Sequence, residues 1–137
     1  GGLMVIASLL GLPAFLAYFC LASIAIVLYL VVYTRITRHD EFAMIAANSA
    51  AAAVALGLSL VGFSLPVASA IAHSANIVDC AIWSIIALVV QVLVYFAAPI
   101  PVSDLGDRLE KGEMGAAVWL GSVSVTAGVL SAASMSD

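Results

Sequence analysis

The stretch from Phe15 to Tyr33, FLAYFCLASIAIVLYLVVY, runs for 19 residues without a charged side chain. A helix needs about 20 apolar residues to cross the roughly 30 Å of hydrocarbon in a bilayer. Pro13 stands just before this stretch, where the N–H that proline lacks would have no partner within a helix. The stretch therefore predicts a transmembrane helix.

Three further stretches have the same apolar composition. In lipid, the backbone polar groups of a segment must be paired internally, which selects helices. Pro99 and Pro101 close the third stretch, because proline cannot continue a helix. We predict an all-α integral membrane protein, a single bundle over residues 1–137 whose four transmembrane helices form two tandem helical hairpins. The predicted spans are about 14–34, 42–72, 79–98 and 113–135.

The composition of the whole chain agrees with a membrane location. Hydrophobic residues make up 65% of the chain and charged residues 9%, against about 45–50% and about 25% in soluble domains. A net charge of −4 without a basic cluster argues against nucleic-acid binding. Cys20 and Cys80 lie in apolar runs and are expected to act as small hydrophobic residues. No Cys/His spacing suggests a metal, so we expect the bilayer as a partner and neither metal nor cofactor.

The basic residues orient the predicted bundle. Arg35 and Arg38 lie between spans one and two, and Arg108 and Lys111 lie between spans three and four. Loops rich in Lys and Arg stay in the cytoplasm. Loops 35–41 and 99–112 are therefore predicted to be cytoplasmic, with both termini external.

Parts of the two hairpins resemble each other. Ala52–Gly57 parallels Ala116–Gly121, and Leu30–Tyr33 parallels Val92–Tyr95. These similarities indicate an internal repeat, with chance similarity between apolar segments as the alternative. Because each unit would cross the membrane twice, the copies would share one orientation.

This architecture, the run from Tyr33 to Thr37, and the run Asn48-Ser49-Ala50-Ala51 resemble the YjfL-like family of bacterial inner-membrane proteins, a domain of unknown function. The resemblance covers nearly the whole chain, including Leu88–Gln91 and Ser131–Met135. It implies an inner-membrane location, a four-helix bundle and an association with membrane-stress genes. The family pattern often has an asparagine where this chain has Gly112-Glu113.

Small or polar residues recur along span two with alternating spacings of four and three, which places them on one helix face. They are Asn48, Ala52, Ala55, Ser59, Gly62, Pro66, Ser69 and His73. The first interpretation is a packing surface, because small residues let helices in lipid approach each other. The second is a polar seam reached by water or ions, with Ser84 and Gln91 of span three as further members. Gln91 would need a hydrogen-bond partner from another helix.

Two smaller sets complete the candidate residues. Helix packing is assigned to the glycines Gly57, Gly62, Gly121 and Gly128. His73 and Asp79 form an outer-loop pair that is either a pH-sensitive contact or two solvated groups.

The sequence holds no sign of catalysis. No carboxylate lies deep in a span, where such groups mark ion or proton pathways, and no Ser–His pair, zinc motif or phosphate loop occurs. We predict a non-enzymatic, multi-pass inner-membrane protein, a homo-oligomer that forms a small pore or a solute-responsive bundle. The alternative is a non-conducting scaffold or a partner subunit in membrane-stress physiology. What separates them is whether the span-two stripe faces water or a neighbouring helix.

Overall fold

The hydrophobic stretches of the chain form helices, and short polar turns separate them. The computed structural model describes residues 1–37 and 40–135. The helices are α1 (Gly2–Leu9), α2 (Leu12–Ile36), α3 (Glu41–Ala46), α4 (Ala50–His73), α5 (Ile77–Ala97), α6 (Leu105–Glu110) and α7 (Met114–Ser134). Within the described residues, four stretches are long and apolar enough to cross a membrane: α1 with α2, α4, α5 and α7. The predicted all-α fold of two consecutive hairpins, α2–α4 and α5–α7, is confirmed.

The first predicted span is longer than expected. Helix α2 begins at Leu12, with Pro13 in its first turn, and α1 precedes it across a turn at Leu10 and Gly11. None of the α1 residues is buried. The apolar surface of α1 therefore stays exposed in the part of the chain that the structure describes.

The second predicted span, 42–72, is two helices rather than one. Asp40 caps α3 by accepting a hydrogen bond from the Ala43 N–H at 3.1 Å. At the other end, Asn48 adopts φ +69°, and the N–H groups of Asn48 and Ser49 bond the carbonyls of Ile45 and Met44. This is a Schellman motif, which closes a helix with a left-handed residue. Ser49 then caps α4 through the Ala52 N–H.

The second hairpin repeats this arrangement before α7. Gly112 has φ +81°, and the N–H groups of Gly112 and Glu113 bond the carbonyls of Leu109 and Arg108. These bonds close the short helix α6, which ends at Glu110. Each of the two short helices thus turns the chain into the long helix that follows it.

Helix α4 is the centre of the bundle, and α7 is the helix that packs most closely against it. Contacts pair Leu58 with Gly121, Gly62 with Ser124, and Ser69 with Ala132. Residue numbers rise together in these pairs, so α4 and α7 run parallel. Helices α2 and α5 also pack against α4.

Candidate functional site

The small and polar stripe of α4 faces α7 along most of its length. Its members from Ala52 to Pro66 are buried. A Cβ added to Gly62 would lie 2.5 Å from the carbonyl oxygen of Ser124, and one added to Gly128 would overlap the Gly62 backbone. A Cβ on Gly121 would lie 2.5 Å from Cβ of Leu58. Backbone-level contact of this kind requires glycine.

The stripe continues past the glycines in a weaker form. The Ser69 hydroxyl donates to the Ala132 carbonyl of α7 at 2.8 Å. His73, one turn further on, is exposed, and its Nδ1 lies 2.9 Å from the carbonyl oxygen of Ser69 in the same helix. The α4–α7 contact therefore ends near Ser69.

Two predicted residues stand apart from this contact. Asn48 precedes the α4 N-cap, and its left-handed backbone serves the end of α3, so it does not cap a stripe on α4. A Cβ on Gly57 would meet nothing within 4 Å. No close approach within the described chain therefore requires a glycine at position 57.

Five polar side chains from α2, α4, α5 and α7 meet inside the bundle. We call Tyr29, Tyr33, Ser59, Gln91 and Ser124 the interior polar cluster, and none of them is more than 4% exposed. The Gln91 amide donates to the Ser124 carbonyl at 3.2 Å and lies 3.4 Å from its hydroxyl. The sequence predicted that Gln91 needs a hydrogen-bond partner on another helix, and that helix is α7.

Aromatic rings pack against the two tyrosines of the cluster. Tyr29 stacks on Phe63 with ring centroids 4.7 Å apart, and its hydroxyl lies beside those of Ser59 and Ser124. Tyr33 packs edge-on against Tyr95 at 5.5 Å. Glu41, at the start of α3, is buried as well. The cluster thus extends from mid-bundle toward the end that carries α3.

Some buried polar atoms of the interior accept or donate no hydrogen bond within the described residues. They include the Tyr33 hydroxyl, Oε1 of Gln91 and the Ser84 hydroxyl. An unpaired buried polar group costs about 1–3 kcal/mol. Each of these atoms would gain from a water molecule or a ligand group placed against it.

His73 and Asp79 reach the same cavity at the far end of the bundle, together with Ser74 and Trp83. Asp79 accepts a hydrogen bond from the Ala75 N–H at 2.9 Å, while His73 contacts its own helix. No ion pair joins these two described side chains. Across residues 1–37 and 40–135, no three His, Cys, Asp or Glu side chains gather where they could hold a metal ion.

Sequence reasoning had left Tyr29, Tyr33, Ser124 and Glu41 out of the candidate set. The tyrosines gave a usable signal, since they stand four apart on one helix face and a buried hydroxyl needs a polar partner. Glu41 gave no sequence signal of burial, because a carboxylate at the start of a helix is normally solvated. It is nevertheless only 1% exposed.

Comparison with known proteins gives one consistent result. A family model described as Domain of Unknown Function (DUF350) matches residues 7–135. The chain is similar to the UPF0719 inner membrane protein YjfL of Escherichia coli K12, with 32% identity over 124 residues, 90% of this chain and 94% of that protein. The YjfL protein of Escherichia coli O157:H7 matches to the same extent. No solved structure matches the chain.

Proposed function

Because the chain belongs to the DUF350 family and is a multi-pass protein of the inner membrane, we propose that it is a non-enzymatic, non-conducting bundle that serves as a scaffold or partner subunit for other membrane proteins. One observation carries this proposal. The stripe that could have lined a polar seam is closed against α7 at Gly62 and Gly128.

The closure matters because water between two helices needs them to stand apart. Gly62 and Gly128 bring the two backbones into contact, and Ser59 and Ser69 face the same helix. A conducting path along the stripe would have to separate α4 from α7 and lose these contacts. The arrangement in which the stripe packs against α7 is therefore favoured over one in which the stripe faces water.

The bundle also keeps a small-residue surface for a partner. Gly57 has open space around it, and Ala53 and Ala68 on the same helix are exposed. In lipid, such residues let a second helix approach closely. This surface supports assembly with another copy of the chain or with a protein of membrane-stress physiology, the setting that the family resemblance implies.

A pore or solute-responsive bundle is the second candidate, and a specific observation favours it. The Tyr33 hydroxyl and Oε1 of Gln91 are buried without a hydrogen-bond partner in the described residues. A hydrated interior would supply those partners. In this alternative, the solute would meet the interior polar cluster, which shares only Ser59 with the α4 stripe.

We infer as well that the two hairpins are copies of one unit. Asn48 and Gly112 are 64 positions apart, as are the starts of α4 and α7 and the starts of α3 and α6. Both left-handed residues end a short helix with the same hydrogen bonds. The segments Ala52–Gly57 and Ala116–Gly121 have this same offset.

Cysteine accessibility tests the proposed function. Single cysteines replace Ser59, Ser69 and Asn76 in a background without Cys20 and Cys80, and a charged, membrane-impermeant thiol reagent is added to intact cells and to inverted vesicles. We expect Ser59→Cys and Ser69→Cys to stay unlabelled from both sides, because Ser59 is buried inside the bundle and the Ser69 hydroxyl bonds α7. Asn76→Cys is the positive control, since Asn76 is exposed in the α4–α5 connection.

Rapid labelling of Ser59→Cys in folded protein would mean that water reaches the stripe, which overturns the non-conducting proposal. A flux measurement with the same variant then asks whether blocking the position stops conduction. Val61→Cys serves as a matched control on the same helix, because Val61 is 48% exposed on the outer surface of the bundle.

A further inference from the structure

A polar cavity of about 160 Å³ lies at the end of the bundle where α4 and α7 end and α5 begins. The polar side chains that line it include His73 of α4, Asp79 and Trp83 of α5, and Ser134 of α7. His73, Trp83 and Ser134 are exposed and Asp79 is partly exposed, so a molecule outside the bundle can reach them.

Asp79 gives the cavity a negative charge in a fixed orientation. One of its carboxylate oxygens accepts a hydrogen bond from the Ala75 N–H at 2.9 Å, and its own N–H donates to the Asn76 side chain at 2.9 Å. The carboxylate can accept further bonds, because it offers about four lone-pair positions. The lysine and arginines of the described chain lie at the opposite end of the bundle, near α3 and α6. A cation for Asp79 would therefore come from outside the described chain.

Two further groups of the cavity are left as hydrogen-bond acceptors. The His73 Nδ1 atom lies 2.9 Å from the Ser69 carbonyl oxygen, which can only accept, so Nδ1 carries the hydrogen. In the neutral imidazole ring, Nε2 is then an acceptor. The Ser134 hydroxyl donates its hydrogen to the Leu130 carbonyl at 2.7 Å, which leaves its oxygen to accept. A ligand that suits these groups must donate hydrogen bonds.

The helix ends also favour a positive ligand. Helix α4 ends at His73 and α7 ends at Ser134, and the carbonyl end of a helix carries a partial negative charge. Helix α5 starts nearby with the opposite partial charge, which Asp79 in its first turn offsets. Trp83 lies one turn after Asp79 on the same helix face, and tryptophan is the aromatic side chain that attracts cations most strongly.

We propose that this cavity binds a primary ammonium group, either from the headgroup of a membrane lipid or from a small soluble amine. A primary ammonium carries three N–H donors and one positive charge. These donors match the Asp79 carboxylate, Nε2 of His73 and the Ser134 oxygen. The proposal stands independently of the proposed function.

Size and ligand number narrow the choice of cation. A cavity of about 150 Å³ can hold benzene, so a headgroup amine such as ethanolamine, which is smaller, fits. A bare metal ion is a poorer match, because no third His, Cys, Asp or Glu side chain of the described residues joins His73 and Asp79. A quaternary ammonium has the charge but no N–H, and it would leave the acceptors unpaired.

Native mass spectrometry tests the lipid source. The purified protein is released from maltoside micelles that contain equal amounts of phosphatidylethanolamine and phosphatidylcholine, two lipids with the same charges of which only the first has N–H donors. We expect wild-type protein to retain phosphatidylethanolamine preferentially. Asp79→Asn should weaken its retention about tenfold or more, the contribution of a charge-assisted hydrogen bond. Asparagine still accepts from the Ala75 N–H, so the start of α5 is preserved.

An NMR titration of lipid-free protein with ethanolamine and with choline tests the soluble source. Saturable binding of ethanolamine that Asp79→Asn weakens would show that the amine needs no lipid. Preference for the ethanolamine lipid without such binding would identify the headgroup. Asp107→Asn is the matched control in both measurements, because it removes a carboxylate from the first turn of α6 at the opposite end of the bundle.

A second variant decides if Asp79→Asn fails to fold. His73→Lys places an ammonium group at the edge of the cavity, on an exposed position at the end of α4, and should displace the ligand. Equal binding of the primary and quaternary amines in both measurements would overturn the proposal. So would a preference that survives Asp79→Asn and His73→Lys, or one that Asp107→Asn weakens to the same extent.

Discussion

At the scale of single residues, backbone conformation decides roles that side-chain chemistry leaves open. Asn48 continues the spacing of the α4 stripe, and the sequence therefore placed it on that face. Its φ of +69° instead puts it at the end of α3. Asparagine tolerates this left-handed region better than other residues with a Cβ. Gly112 holds the equivalent position before α7 with φ +81°.

Position 48 gives a direct test of this role. Asn48→Gly should leave stability unchanged or slightly raised, because glycine adopts positive φ freely. Asn48→Val should lower the free energy of unfolding by about 1–2 kcal/mol, since a β-branched residue is strained there. Denaturation of purified protein in mixed micelles measures both, with Ala53→Val on the exposed face of α4 as control. Equal stability of the glycine and valine variants would contradict the assignment.

Gln91 separates a structural amide from a functional one. Gln91→Leu removes the bond to Ser124 but also removes the unpaired Oε1. Because interhelical hydrogen bonds in membranes contribute about 0.6 kcal/mol on average, we expect a small loss of thermal stability or none. A growth assay under membrane stress, run in parallel, should show preserved activity. Lost activity with preserved folding would instead favour the solute-responsive bundle.

The sequence predicted part of this site for a clear physical reason. An amide in hydrocarbon needs a partner, so the partnership of Gln91 with another helix followed from residue type and depth. Ser124 shares one face of α7 with Gly121 and Gly128, and the sequence already shows this spacing. Which member of that face meets Gln91 depends on how α7 is placed along α4, and the close contact of Gly62 with Gly128 sets that placement.

At the scale of helices, hydropathy located the spans but not their interruptions. The segment 42–72 is uncharged throughout, and a hydropathy pattern records no dihedral angle at Asn48. Pairing of helices was also beyond reach, because every span carries some small residues. The α4–α7 contact arises where glycines on both helices meet at one level, as Gly62 and Gly128 do.

Gly62 and Gly57 form a matched pair on α4. Gly62→Leu should lower stability by several kcal/mol or prevent folding, because its side chain would collide with the Ser124 backbone. Gly57→Leu should leave the monomer folded, because open space surrounds that position. If the Gly57 surface joins copies of the chain, this variant should also have a lower mass in detergent. Light scattering and thermal melting measure the two effects.

The opposite pattern would revise the assignment of surfaces. A Gly62→Leu protein with wild-type melting temperature and mass would show that the α4–α7 contact is dispensable. A Gly57→Leu protein of unchanged mass would move any contact between copies away from α4. Ala68→Leu on the exposed side of α4 tests whether that contact extends along the helix.

At the scale of the whole molecule, the outer surface is apolar nearly everywhere. The sequence could therefore predict a membrane location, but it could not predict which side of the bundle faces a partner. Lipid and a protein partner both accept leucine, isoleucine and phenylalanine at the surface. Only features that lipid does not require, such as the open Gly57 and the buried Ser84 hydroxyl, distinguish one side from another. Both features depend on how the helices are arranged around α4, and the sequence alone does not give that arrangement.

The last prediction concerns the orientation of the bundle in the membrane, and it follows from the positions of the charged residues. Arg35, Arg108 and Lys111 lie at the end of the bundle that carries α3 and α6, and Arg38 belongs to the same connection but lies outside the described residues. Segments rich in arginine and lysine resist transfer across the inner membrane, so this end should face the cytoplasm. Alkaline phosphatase, which is active only outside the cytoplasm, should therefore be active when fused after Asp137, itself outside the described residues. Green fluorescent protein inserted at Gly112 should fluoresce. The reverse pattern, an inactive phosphatase after Asp137 with fluorescence at that position instead, would invert the bundle and place His73 and Asp79 in the cytoplasm.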